Sequence, residues 1–381
     1  MPHGEEGREA TLIVKAKTLL LKYVTLGVPL KLSFNLSNER LIYALTISDD
    51  SSQKSTIWSI AESEDEIDAI REIMGGSRFG LALFNEVGAN SAFCLAKLIP
   101  TSSPVKPPSS LINLNEVDYE AFKGIAHGLM ESLDGAMSNQ TGWSTASIQC
   151  ESDWKIIRNH FVTEMAISGL LDISHTKEGE HQELMALWLA GSLKPGNCFH
   201  SPQVPSGPRM REFTDLLLTS RYGAILIESK CLTILGRSKL PDRSKLRRDV
   251  ASHIAKATSQ LKGAIRSLRS DVAIRSKTGD TIDVERADTP HAIILVPDLE
   301  LLNPDDYGIE FMKNFMEETR GYIHILDVAE LLRMIQAAEI ISEKTQFSAI
   351  EAFDYYLTER SEITFKRGTL CIEVLLRFAP S

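Results

Sequence analysis

Glu212-Phe-Thr-Asp215-Leu-Leu-Leu-Thr-Ser-Arg-Tyr-Gly223-Ala-Ile-Leu-Ile-Glu228-Ser-Lys230 is the stretch on which the reading of this chain turns. Two short apolar runs, 213–218 and 224–227, flank Ser220-Arg-Tyr-Gly223, so two neighbouring strands joined by a tight turn are expected. Side chains two apart on a strand share a face. Glu228 and Lys230 therefore project together with Ala224 and Leu226, while Ile225 and Ile227 go to the other side. Pairing with the first strand brings Asp215 beside them. Burying a charge without a partner is costly. A divalent cation between Asp215 and Glu228 would relieve that cost, since Mg2+ or Mn2+ favours carboxylate oxygens. The carbonyl of Ser229 is a natural additional ligand. Lys230 would then orient or deprotonate a water, or stabilise charge on a phosphate.

The flanking sequence supplies the rest of a domain. Upstream, 179–190 reads as a helix with Leu184, Leu187 and Trp188 on one face. Downstream, a long amphipathic helix is expected over about 245–268, burying Ile254, Leu261, Ala264, Ile265 and Leu268. His291–Pro297 and Tyr322–Leu326 read as apolar strands, 328–340 as a helix, and 346–381 as one helix and one strand. The order helix, strand, strand, strand, helix, strand describes an α/β (α+β) fold with a mixed central sheet flanked by helices.

An Asp, a hairpin and then Glu-x-Lys resembles the signature of the PD-(D/E)XK nuclease superfamily, here Asp215 and Glu228-Ser-Lys230. The resemblance covers roughly 165–340 and implies a restriction-endonuclease-like core, metal-dependent phosphodiester hydrolysis and an Mg2+ (or Mn2+) cofactor. The preceding helix of that family often supplies an acidic residue. Gly179-Glu180 is similar to the Gly-Glu opening of its nuclease-related branch, so Glu180 is the candidate and Glu183 the second choice. A Gln on the following helix is also common there, and Gln260 matches. Thr214 stands where many members have Pro. DNA is the expected substrate, and RNA fits the same site. A non-catalytic nucleic-acid- or partner-binding module on the same fold is the alternative, since fold does not fix function. A nuclease with an additional β-rich module and no motor also resembles effectors of prokaryotic anti-phage or anti-plasmid defence. That analogy implies a sensor or guide protein as partner and a homo-oligomer.

Charge distribution adds a surface. The 381-residue chain carries a formal net charge of -10, which argues against a general nucleic-acid coat protein. Yet from Gly236 to Ser270 ten basic residues face only Asp242 and Asp249, so this segment alone is +8. Arg237, Lys239, Arg243, Lys245, Arg247, Arg248 and Lys256 are its candidate phosphate contacts.

Other chemistries fare worse. The nine histidines form no HxxxH or HxH pair, and the five cysteines form no CxxC, so neither a zinc site nor a disulfide framework is indicated. His253 reads as a helix-surface residue, His200 and His291 as structural, and Cys231 and Trp188 as core. No Walker loop is present.

Residues 1–99 read as a β-rich N-terminal domain for partner or sensor binding. Strands are expected at 11–21, 30–36, 41–47, 55–60, 79–84 and 91–99, with a helix at 63–74. Residues 100–110 are a Pro/Ser-rich linker, 111–164 a helical connector with helices at 119–137 and 152–168, 165–345 the nuclease domain and 346–381 an extension. With no apolar run near the ~20 residues that span a bilayer and a polar, acidic start, a cytoplasmic protein without membrane contact is expected.

Overall fold

The computed structural model describes residues 9–37, 39–50, 54–100, 128, 142–162, 168–193, 197–237 and 239–372. Two compact units divide at Ile157 and Arg158, with Lys17–Leu19 grouped with the second. The fold is mixed α+β, and no helix among the described residues is long and apolar enough to cross a membrane.

The first unit is built on an eight-stranded sheet. Its strands are β1 (Thr11–Lys15), β2 (Leu30–Ser37), β3 (Arg40–Ile47), β4 (Ser55–Ile60), β5 (Phe79–Phe84), β6 (Asn90–Pro100), β7 (Ser144–Cys150) and β8 (Lys155–Ile156). They run β1-β5-β6-β7-β2-β3-β4, with β8 also pairing β6; only β1 and β5 are parallel. Helix α1 (Thr18–Thr25) takes the second half of the strand expected at 11–21. Its Leu19-Leu-Leu21 run consists of straight-chain residues that lose little freedom in a helix. Helix α2 (Glu64–Met74) is capped by Ser63, whose side chain accepts from Glu66 N. It buries Ile67, Ile70, Ile73 and Met74.

Two further features depart from the sequence reading. β7 lies between β6 and β2, so the unit extends beyond residue 99. The helix expected at 152–168 is absent among the described residues; β8, β9 (Asn159–Val162) and β10 (Ser168–Leu171) stand there instead. β-branched Ile156, Ile157 and Val162 suit extended backbone. The expected linker beyond Pro100, the helix at 119–137 apart from Gly128, and the C-terminal strand lie outside the described residues.

The second unit holds the hairpin. Its sheet runs β11 (Cys198–His200), β14 (Leu216–Ser220), β15 (Gly223–Ser229), β16 (His291–Leu295), β17 (Tyr322–Leu326). The first two pairings are antiparallel and the last two parallel. Between β11 and β14 the chain makes a separate hairpin, β12 (Gln203–Ser206) with β13 (Arg209–Glu212). Gly223 closes the β14–β15 turn at φ 131°, a conformation that side chains with a Cβ rarely adopt.

Helices cover this sheet. α3 (Glu178–Ala190) lies against β11, β14 and β15, and α4 (Arg243–Arg269) against β15 and β16. α4 also packs on α5 (Ile309–Thr319), whereas α3 packs on α6 (Val328–Lys344), which packs on α7 (Ala349–Arg367). α7 touches β17, so the tail helix belongs to this unit. Every residue of β14 and β16 is buried, and β15 is buried up to Glu228. Both faces are thus covered, as parallel strands require. Trp188 points outward on α3, 36% exposed, with its ring stacked on Phe161.

Ile293 is fully buried at the centre of β16. Ile293→Ala should cost about 2–5 kcal/mol, seen as an earlier urea midpoint for the second unit. A variant with an unchanged midpoint would show that this strand is not its core.

Candidate active site

β14 and β15 set the site by register. Leu216 pairs with Ile227, so one residue further places Asp215 beside Glu228. Thr214 Oγ1 donates to the Ile227 carbonyl at 2.9 Å, and Ser229 N donates to Asp215 Oδ2 at 2.7 Å. These two bonds hold the start of one strand against the end of the other. Lys230 N donates to Leu295 O at 2.8 Å, which carries the parallel pairing past the last residue of β15.

Three charges meet there. Lys230 Nζ donates to Glu228 Oε2 at 2.7 Å and lies 3.7 Å from Asp215 Oδ2. The Glu228 side chain is 2% exposed, while those of Asp215 and Lys230 are 14% and 15% exposed. One ammonium therefore serves two carboxylates in a poorly solvated place. Burial pushes the Asp215 carboxyl up to about 7, and the neighbouring Glu228 charge adds to it. Glu228 is also raised, first by burial, with Lys230 opposing. Burial works against the Lys230 ammonium, but Asp215 and Glu228 outweigh it and hold its pKa above the usual value.

Helix α3 supplies what surrounds the charges. Gln182, buried among the side chains that face the sheet, spreads its amide over two strand ends. Its Nε2 donates to Ser229 Oγ at 3.1 Å, to Lys230 O at 3.4 Å and to Leu295 O at 3.0 Å. The Glu178 carboxylate accepts from Ile234 N and Leu235 N at 2.5 and 2.6 Å, which fixes the loop after Lys230. Glu183 pairs with His200 of β11, and its charge raises the pKa of both Asp215 and Lys230.

Of the two acidic candidates on α3, Glu183 is thus the one beside the site. Glu180 is half exposed and pairs with Lys177 at 3.4 Å. Glu183 lies one position from Gln182, on the side of α3 turned to β11, whereas the Glu180 side chain is on the exposed side of the first turn. Gln260 is exposed on α4. The α4 residue that reaches the segment just after β15 is His253, seven positions and two turns earlier on the same face. Burial lowers its pKa, the nearby Lys230 lowers it further, and its ring bonds the backbone of Cys231. Cys231 is half-buried rather than core. Gln182 and His253 were legible only as polar residues on otherwise apolar faces: Gln182 stands in register with Met185, Ala186 and Leu189, and His253 with Val250 and Ala257.

The basic segment is partly spoken for. Arg237 and Lys245 both pair with Asp249, Arg248 bonds Ser244 Oγ, and Arg243 is half-buried. Lys239, Arg247 and Lys256 are exposed and have no ion-pair or hydrogen-bond partner among the described residues.

The donor set is compatible with a hard divalent cation. Two buried carboxylates with raised pKa values are short of positive charge, and Mg2+ takes one or two carboxylates while keeping several waters. No cluster of three or more His, Cys, Asp or Glu side chains suited to a metal occurs among the described residues. No family model matches the chain, and no curated protein or solved structure matches it.

The raised Asp215 pKa has a consequence for stability. Between the unfolded value of 3.8 and about 7, the folded state holds a proton that the unfolded state has released, so stability falls as pH rises through this window. Asp215→Asn should therefore stabilise the chain by ~1 kcal/mol at pH 8 in EDTA, with a smaller effect near pH 4. Equal effects at the two pH values, followed by urea unfolding, would contradict the assignment.

Proposed function

We propose that the second unit is a metal-dependent nuclease whose site is Asp215, Glu228 and Lys230. The observation that carries this reading is the convergence of those three side chains across the β14–β15 pair, within a sheet whose antiparallel half leads into a parallel half. That strand order and those senses agree with the restriction-endonuclease-like core implied by the Asp…Glu-x-Lys resemblance.

Asp215 and Glu228 would hold a divalent cation, with the Ser229 carbonyl as a further oxygen donor. The bound ion would supply Lewis acidity toward a phosphate oxygen and a more acidic water. The chain's own residues do the rest. Lys230 places a positive charge where a pentavalent phosphate gathers negative charge, in a poorly solvated site where such a charge counts for more than in water. Gln182 and the Leu295 carbonyl hold the Ser229 hydroxyl and the backbone of Lys230, so that this ammonium need not be ordered during the reaction. Exposed Lys239, Arg247 and Lys256 offer unpaired cations for the phosphate backbone of DNA or RNA.

The test is phosphodiester cleavage with Mg2+ or Mn2+ on duplex DNA, single-stranded DNA and RNA side by side. Asp215→Ala and Lys230→Ala should each lower the rate at least ~100-fold, and EDTA should abolish it. Cleavage that is equal in all three proteins would remove the mechanism. Nucleic-acid binding without turnover would favour a non-cleaving module on the same fold.

A second expectation follows from the clamp on α3. Gln182→Met keeps the volume but removes both donors. It should lower kcat ~10-fold or more while leaving KM within about twofold, because only the placement of Lys230 is lost. An unchanged kcat, or a loss no larger than the unfolded fraction seen by circular dichroism, would overturn this expectation.

A further inference from the structure

Between Lys230 and Asp242 the chain forms no strand or helix among the described residues, since β15 ends at Ser229 and α4 begins at Arg243. This link joins the lysine of the candidate site to the basic segment. Over 237–248, Arg237, Lys239, Arg243, Lys245, Arg247 and Arg248 face only Asp242, so six positive charges less one leave +5. Like charges this dense repel one another. Several of them also crowd the first turns of α4, where the helix dipole disfavours cations. No strand ladder holds the link against that repulsion.

Other contacts hold it. Leu232, Ile234 and Pro241 are buried, and Arg237 N donates to Ile234 O at 3.3 Å across a turn that contains Gly236 at φ 77°. Glu178 adds an anchor from another element. It is the first residue of α3, where a carboxylate suits the helix dipole, and it is 3% exposed. Its Oε1 accepts from both Ile234 N and Leu235 N, at 2.5 and 2.6 Å. Bonds from backbone N–H groups to a carboxylate are about twice as strong as neutral ones.

We propose that Glu178 is a positioning residue for the substrate: its clamp on residues 234 and 235 fixes the basic segment relative to Lys230, so that phosphates held by Lys239 and Arg247 bring the neighbouring phosphodiester to the site.

This inference rests on the nuclease reading above. Lys230 itself does not depend on the clamp, because Leu295 O and Gln182 hold its backbone and the two acids hold its ammonium. Gln182 and Glu178, one turn apart on α3, therefore divide the link between them. Gln182 holds its catalytic end, and Glu178 holds the end that leads to the cations.

Two variants of the full-length protein separate reach from charge. Glu178→Asp keeps the charge and suits a helix start, but withdraws the oxygen by one methylene. Glu178→Gln keeps the reach and the Oε1 acceptor, but loses the charge. The probes are a fluorescein-labelled DNA duplex, DNA single strand and RNA, followed by anisotropy in EDTA over a NaCl series and by cleavage with Mg2+. On the probe bound most tightly, Glu178→Asp should raise Kd at least ~10-fold and flatten the slope of log Kd against log salt by about one to two. KM should rise with Kd while kcat stays within about twofold. Glu178→Gln should bind within about threefold of the unaltered protein. Arg247→Ala should weaken binding alone, yet weaken it little further in Glu178→Asp, because the two act through one contact.

An unchanged Kd and salt slope in Glu178→Asp would overturn the proposal. So would equal weakening in both Glu178 variants, additive losses with Arg247→Ala, or an unaltered protein that binds none of the probes. Binding without cleavage would instead remove the nuclease reading, and the Kd comparison would still decide the role of Glu178.

Discussion

One ammonium shared by two buried carboxylates is the interaction around which the second unit is arranged. Lys230 reaches Glu228 at 2.7 Å and Asp215 at 3.7 Å, in a place where neither acid is well hydrated. Two carboxylates share one ammonium, and burial, with the Glu228 charge adding to it at Asp215, raises the pKa values of both acids. A structural ion pair would gain nothing from that imbalance, since a buried charge without full compensation destabilises the fold. On the proposed reading, a cation supplies the missing positive charge.

The surrounding fold serves to keep that imbalance in place. The tight turn at Gly223 fixes the register of β14 on β15, and the register alone puts Asp215 across from Glu228. The parallel pairing with β16 holds the backbone of Lys230, and Gln182 ties the same segment to α3. Glu178 pins the loop that leads away, and Glu183 adds a further negative charge while His200 restrains it. Charged side chains at the end of a strand would otherwise swing into solvent; here Asp215 is held by Ser229 N and Lys230, and Lys230 by both acids. The neutral His253 ring closes the α4 side of the cluster without adding a charge.

How much of this could be read from the sequence depends on how local the cause was. The hairpin was legible because alternation, a turn with glycine and two apolar runs all act within twenty residues. The strands and helices that follow it were legible for the same reason. The choice of Glu183 over Glu180 was not, because α3 is apolar on several sides and buries Glu178, His181 and Gln182 as well. Only docking against β11 and β15 decides which of its acids faces Lys230. Likewise Gln260 and His253 share a helix face, and the crossing point of α4 on the sheet selects between them. The place of β7 between β6 and β2 is the same lesson at longer range, since no local pattern marks a strand that joins a sheet from so far along the chain.

The account rests on a cation binding between Asp215 and Glu228, and crystals grown with Mn2+ test that most directly through anomalous scattering. It predicts one peak in contact with both carboxylates, with Lys230 Nζ displaced from Glu228 Oε2. No peak there, with Lys230 still bridging both acids at saturating Mn2+, would contradict it.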